Sequence, residues 1–241
     1  MPQVFTALFI TTEAGVASIP EPEKKLQCSG NVLELKSPLN WTFFLFIIST
    51  GDKNEKIWIA TSNAHKVEEF QKMLGEDVLV CCLKDLDQEV EIIENGKTFE
   101  ENALIKARSL YDVLHQPVIS DDSGLEVDAM DKAPGVYSAR WMGEDTSYDV
   151  KNAQIIKNVK GKTRTARFVC VIAYIDENGK GHTYRGEVEG EINDKILGSN
   201  GFGYDPIFYY PEYGTTLANV SSEMKNKVSH RSRALEKFLK D

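Results

Sequence analysis

The stretch Val118-Ile119-Ser120-Asp121-Asp122-Ser123-Gly124-Leu125 constrains this chain more than any other. It starts as an apolar run of strand type and passes straight into two carboxylates, a hydroxyl and a glycine. In open α/β folds ligands gather beyond the carboxyl ends of the strands, so acids placed there are site candidates. The pattern predicts a short buried strand followed by a polar turn. If Asp121 and Asp122 were both extended, their side chains would point to opposite faces. At most one would then aim at a given site, unless Gly124 let the turn bend both inward. By itself Asp-Asp-Ser-Gly reads as an ordinary turn after a buried strand, and other parts of the chain shift that balance.

A chain of 241 residues can bury a substantial core, as one large domain or two small ones. With 41% hydrophobic and 27% charged residues it reads as an ordinary soluble globular protein. A net charge of −9 excludes a general binder of polymeric nucleic acid, yet it leaves room for a small phosphorylated ligand in a local basic pocket. Cys28, Cys81, Cys82 and Cys170 show no Cys-x-x-Cys spacing, so reduced thiols and a cytoplasmic home are expected. The histidines carry no His-Glu-x-x-His spacing and point away from a transition metal.

Residues 1 to 55 differ in texture from the rest. Ile19-Pro20-Glu21-Pro22-Glu23 reads as an extended linker. Phe43-Phe44-Leu45-Phe46-Ile47-Ile48 is an apolar run far short of the roughly 20 residues that a membrane span needs. It is compatible with an edge strand, a tether to a partner, or sequence without a fold. No basic segment precedes the first apolar residues, so neither a secretory signal nor a membrane partner is expected. Organised sequence begins at Lys56, which divides the chain into an N-terminal extension, 1–55, and a domain, 56–241.

Within that domain, Ile57-Trp58-Ile59-Ala60 reads as a buried strand ending in Thr61-Ser62-Asn63, three residues of capping type. The helix that follows places Val67, Phe70 and Leu74 on one face and pairs Glu68 with Lys72. Lys66 is out of place, because a cation in a first turn opposes the helix dipole by about a few tenths of a kcal/mol unless an anion sits there. Hydroxyls, free N–H groups and a lysine at a strand-to-helix junction can cradle a phosphate. Glu89-Val90-Glu91-Ile92-Ile93-Glu94 alternates as a half-wet strand would. Thr98-Phe99-Glu100-Glu101 has the form of a capping box. The helix it opens buries Ala103, Ala107, Leu110 and Leu114, with Asn102 and Lys106 together on another face.

A helix is predicted from about Tyr148 to Val159, then strands on either side of a hairpin turn at Glu177-Asn178-Gly179-Lys180. Gly198-Ser199-Asn200-Gly201-Phe202-Gly203-Tyr204-Asp205-Pro206 lets backbone approach a ligand and offers two aromatic faces. Ser229-His230-Arg231 opens a last helix that buries Ala234, Leu235 and Phe238. Here again a cation sits in a first turn. Two such turns in one chain make an anionic or carbonyl-bearing ligand more plausible than a coincidence of surface charge.

Six motifs then fall in a recognisable order: Thr61-Ser62-Asn63-x-x-Lys66, Thr98-Phe99-x-Glu101-Asn102-Ala103-x-x-Lys106-Ala107, Ser120 to Leu125, Pro134-Gly135-Val136-Tyr137-Ser138-Ala139-Arg140, Gly201 to Pro206, and Ser229-His230-Arg231. In these the chain resembles the inosine/xanthosine triphosphate pyrophosphatase family from Lys56 to Asp241. Residues 1–55 have no counterpart there and read as a lineage extension or an upstream misreading of the start. The resemblance implies an elongated two-lobed α/β protein around a long mixed β-sheet with an active-site cleft, usually a homodimer. It implies hydrolysis of ITP, dITP and XTP to the monophosphate and pyrophosphate with Mg²⁺.

Carried over residue by residue, Thr61, Ser62, Asn63 and Lys66 would hold the phosphates, with Lys106 assisting. Asp122 would be proton acceptor and metal ligand, and Ser123 a substrate contact. Phe202, Gly203, Tyr204, Asp205, Lys225, His230 and Arg231 would form the base pocket. Where the family carries an acidic pair this chain has Ile93-Glu94, leaving Glu94 as the second metal ligand. Two readings compete. One is a Maf-type pyrophosphatase of other base specificity, against which the Phe-Gly-Tyr-Asp and Ser-His-Arg segments speak. The other is a nucleotide-binding module without catalysis.

Overall fold

The structure, a computed structural model, describes residues 55–241 together with two short strands, β1 (Gln27–Cys28) and β2 (Asn31–Val32), which pair antiparallel. The Ile19–Glu23 and Phe43–Ile48 segments lie outside the described residues. The larger body is built on seven strands in the order β4-β3-β5-β6-β7-β8-β9. These are β3 (Glu55–Ile59), β4 (Val78–Cys82), β5 (Val118–Val127), β6 (Thr165–Ile175), β7 (Gly181–Ile192), β8 (Phe208–Tyr210) and β9 (Thr215–Thr216). β3 runs parallel to both β4 and β5, and every later pairing is antiparallel. This is the α/β fold on a mixed sheet that the resemblance implied.

Helices cover both faces. On one face α1 (Ala64–Leu74) and the last helix bury Phe70, Leu74, Ala234 and Leu235 against Ile59, Ile119 and Ile172. On the other, α2 (Phe99–Leu114) packs Phe99, Ala103, Ala107 and Leu110 against Val118, Val169, Val171 and Ala173. Full burial of a Leu, Ile or Phe side chain contributes about 1.5–3 kcal/mol, so these two layers fix the helices firmly to the sheet. A second lobe gathers around the far halves of β6 and β7. There α3 (Tyr148–Asn158) brings Ile155 to Val188, Ile192, Phe208 and Leu217. The short α4 (Ser222–Asn226) then leads into α5 (His230–Phe238).

Two expectations fail. Asp121-Asp122-Ser123-Gly124 is not a turn: β5 continues through it to Val127, paired with β6 along its whole length from Val118↔Ile175 to Val127↔Ala166. Gly124 therefore serves close approach rather than bending. A Cβ there would come within 2.4 Å of the Gly135 carbonyl and the Ser138 hydroxyl, which accepts the Leu125 N–H at 2.9 Å. Glu89 to Glu94 is not a strand either but an irregular loop. Its alternation reflects one side turned to the protein, with no neighbouring strand to complete a ladder.

The decisive feature for the site is a mismatch of strand lengths. β3 pairs with β5 only at Trp58↔Val118 and Ile59↔Ile119 and then stops, while β5 runs on for eight more residues. The last tie is the Ala60 N–H to the Ile119 carbonyl at 2.8 Å. From Ser120 to Ser123 this edge of β5 faces a cleft that side chains from both faces of the sheet reach, before Leu125 to Val127 are taken up by the 133–138 segment.

Candidate active site

Thr61, Ser62 and Asn63 form the bend between β3 and α1. Thr61 Oγ1 accepts the Asn63 N–H at 3.2 Å, and Asn63, the N-cap, accepts the His65 N–H at 3.0 Å. The capping reading of these residues holds, and they also line the cleft. Lys66 points across the bend to Asp121, with 3.0 Å between Nζ and Oδ1. At the start of α5, Ser229 is the N-cap and Arg231 reaches the same carboxylate, 2.9 Å from Oδ2. The two cationic first turns thus share one anion, and it is Asp121. The sequence pointed to an anionic or carbonyl-bearing ligand before these turns, and in the structure the anion they share belongs to the chain itself.

Asp121 is 1% exposed. Burial alone would raise its pKa, yet Lys66, Arg231 and Lys106 outweigh it and hold the carboxyl far below the usual range. Behind it runs a line of alternating charge that sequence reading missed. Glu69 bonds Arg231 Nη1 and, at 2.8 Å, Lys225, and Lys225 lies 2.6 Å from Asp205. Glu69 follows Lys66 by three residues and so shares its side of α1, a signal available in the sequence. Arg231 Nη2 also donates to Ser123 Oγ at 3.1 Å. Arg231 therefore sits at 1% exposure with each of its nitrogens engaged.

On the opposite face of β5 the chemistry differs. Lys106, buried on α2, bridges Asp122 Oδ1 at 2.5 Å and Glu94 Oε2 at 3.1 Å. Its ammonium is raised in pKa: burial works against the charge, but Asp122 and Glu94 prevail. Asp122 shifts upward, because burial outweighs the pull of Lys106. Its Oδ2 is buried without a hydrogen-bond partner. An orphaned carboxylate oxygen facing a cleft, next to a second carboxylate, is what a hard divalent cation would satisfy. Among the described residues no three His, Cys, Asp or Glu side chains cluster as metal ligands. Two carboxylates suit Mg²⁺, which keeps waters and substrate phosphates as its other ligands.

The far wall carries the aromatic residues. Phe202 follows Gly201 on the loop before β8, and its N–H donates to Asp205 Oδ2 at 2.9 Å. Lys225 Nζ lies 4.9 Å from its ring centre, and His65 stacks on it at 5.1 Å. Tyr204 is buried, with its hydroxyl on the Ser138 carbonyl at 2.8 Å, and Asn152 holds the Gly203 carbonyl at 3.1 Å. His230 stacks on Phe168 at 4.8 Å. Burial, with Arg231 and Lys225 nearby, pushes its pKa well down, so the ring is neutral, and its Nδ1 has no partner.

All of the sequence-derived candidates, Glu94 included, line one cleft of about 1210 Å³. Tyr148, edge-on to Tyr204 with ring centres 5.2 Å apart, is an addition to the lining, while Glu69 and His65 support it from behind through Lys225, Arg231 and Phe202. Cleft and fold define an α/β protein with amines, hydroxyls and two neighbouring carboxylates gathered at one strand edge. The profile of the Ham1 family matches residues 57–241. Over 190 residues the chain is 47% identical to the dITP/XTP pyrophosphatase of Listeria monocytogenes serovar 1/2a, covering 77% of this chain and 94% of that protein. It is 44% identical over 190 residues to the dITP/XTP pyrophosphatase of Geobacter sulfurreducens, covering 77% and 95%. Among solved structures, the Staphylococcus aureus Ham1 protein aligns with a TM-score of 0.69 at 40% identity, covering 77% of this chain and 98% of that one. The chain belongs to the Ham1 family.

Proposed function

We propose that this protein is a nucleoside triphosphate pyrophosphatase that hydrolyses non-standard purine nucleotides, ITP, dITP and XTP, to the monophosphate and pyrophosphate with Mg²⁺. The observation that carries the reading is Asp122: a buried carboxylate with one oxygen on Lys106, the other unpartnered, and Glu94 beside it. Lys66 and the N-terminal turn of α1 approach the same cleft from the other face of the sheet, where amines and N–H groups suit phosphate oxygens. Thr61, Ser62 and Asn63 line that bend, and Ser123 stands on β5 beside them. Asp122 and Glu94 would hold Mg²⁺, which would supply positive charge for phosphoryl oxygens.

Asp122 takes the proton of the attacking water, a task helped by the upward shift that burial gives its pKa. Lys106 stays charged throughout and moves from carboxylate partner to phosphate partner as the substrate enters. Phe202 provides the stacking face for the base, with Tyr204, Gly203, Asp205 and Lys225 shaping the wall. His230 is the neutral donor for a 6-oxo group, and Arg231 holds the scaffold beside it. Adenine would leave that donor unpaired, a penalty of about 1–3 kcal/mol.

Among the described residues every one that lines the cleft lies at Ala60 or beyond, so 56–241 is expected to carry the activity and removal of residues 1–50 to leave it intact. A homodimer in the cytoplasm is the expected working form. Pyrophosphate release from ITP, XTP, GTP and ATP, with and without Mg²⁺, tests the assignment. Pyrophosphate from ITP and XTP but little from ATP is expected. Equal turnover of ATP, or release of single phosphates, contradicts it.

A further inference from the structure

The loop that carries Glu94 has no regular structure, yet the proposed metal site needs Glu94 at a fixed distance from Asp122. The turn that follows it is held by an uncharged residue. Asn102, fully buried in the first turns of α2, accepts the Gly96 N–H through Oδ1 at 2.8 Å. Gly96 is pressed against the helix: a Cβ there would meet Asn102 Oδ1 at 2.6 Å and Glu101 Cβ at 2.7 Å. One residue further on, Glu101 Oε2 accepts the Lys97 N–H at 2.5 Å. The neighbour of Asn102 is tied to the other acid. The carbonyl of Ala103 accepts Ser120 Oγ at 2.6 Å, and Ser120 is the residue two before Asp122 on β5.

We infer that Asn102, through its contact with Gly96, is the positioning residue that sets the spacing of the Glu94 and Asp122 carboxylates. A continuous path joins them: Asp122 and Ser120 on one strand, Ser120 to Ala103, Asn102 to Gly96, and Gly96 to Glu94. α2 is the rigid member, since Ala103, Ala107 and Leu110 anchor it in the core. The same helix carries Lys106, which bridges both carboxylates. One element therefore fixes both acids and the amine between them. Glu94 has one further backbone restraint, the Arg140 guanidinium 3.4 Å from its carbonyl oxygen. That contact is long, and it fixes the carbonyl rather than the turn after it. The inference rests on the reading of Glu94 and Asp122 as the carboxylates of a divalent-cation site. Outer partners that orient metal ligands contribute about 10- to 100-fold in affinity.

The test is direct Mn²⁺ binding to the nucleotide-free protein, followed by electron paramagnetic resonance of free Mn²⁺, for wild type, Asn102→Ala, Gly96→Ala and Glu94→Gln. Half-saturating Mg²⁺ for ITP hydrolysis is measured on the same proteins. Gly96→Ala keeps the Asn102 side chain and unseats the turn from the first turn of α2, so it decides the matter even if Asn102→Ala folds poorly. Both variants are expected to weaken Mn²⁺ binding about tenfold and to raise half-saturating Mg²⁺ similarly, with kcat recovering at high Mg²⁺. A weakened Glu94→Gln beside Gly96→Ala and any folded Asn102→Ala at wild-type affinity overturns the positioning role and leaves the metal assignment standing. Wild-type affinity in Glu94→Gln overturns both.

Discussion

Asp121 and Asp122 are adjacent, chemically identical and both buried, yet the two faces of β5 make them opposites. Asp121 faces α1 and α5, where Lys66 and Arg231 hold it ionised far below the ordinary range. Asp122 faces α2, with Lys106 on one oxygen, nothing on the other, and a pKa displaced upward by burial. One is a fixed counter-charge that ties two helices to the sheet. The other is available for proton transfer and for a cation. Environment, not residue type, divides structural from chemical carboxylate.

The largest expected effect separates the pair by turnover. Asp122→Asn should lower kcat for ITP by about 10²- to 10⁴-fold, the range for a lost general base, while nucleotide still binds. Its thermal midpoint should stay level or rise, because burial already disfavours the charge and Lys106 keeps Glu94. Asp121→Asn should do the reverse, destabilising the fold in urea by about 3–5 kcal/mol by leaving Arg231 and Lys66 short of a buried partner. Equal losses of stability in the two variants would erase the contrast.

A smaller effect sharpens it through pH. His230, on the Asp121 side, has a folded pKa well below the unfolded value of about 6.5. The unfolded chain therefore binds the proton first, and this residue's contribution falls as pH drops below about 6.5. A full proton's difference amounts to about 1.4 kcal/mol per pH unit. Urea unfolding of His230→Gln between pH 7 and 5.5 should show a shallower slope than wild type, and parallel slopes would place the titration elsewhere. Smallest is Tyr204→Phe, which deletes the hydrogen bond to the Ser138 carbonyl beyond the two aspartates and should lower stability by about 1 kcal/mol. No change would mean that the Ser138 segment is held without it.

Much of this was legible in the sequence because it is local. The caps at Asn63, Thr98 and Ser229 and the apolar periods of α1 and α2 need only near neighbours to be read. What could not be read is non-local. That β5 outruns β3 depends on where a different strand stops, so the two aspartates looked like a turn of which only one could matter. A strand edge open to a cleft lets both faces contribute, and no period in the sequence encodes an absent neighbour. The same reason defeated the strand expected at Glu89 to Glu94. Glu69 was hidden beside Glu68, which pairs outward with Lys72 at 2.7 Å, and only its three-residue offset from Lys66 marks it as inward.

The central claim is that amines from opposite faces of one sheet meet on a single polyphosphate at the open edge of β5. A crystal structure of Asp122→Asn with ITP and Mg²⁺ tests it most directly. The expected result is one triphosphate in contact with both Lys66 and Lys106, with the base against Phe202. A nucleotide held on one face alone, with either lysine still locked to its aspartate-side partner and remote from phosphate, would contradict it.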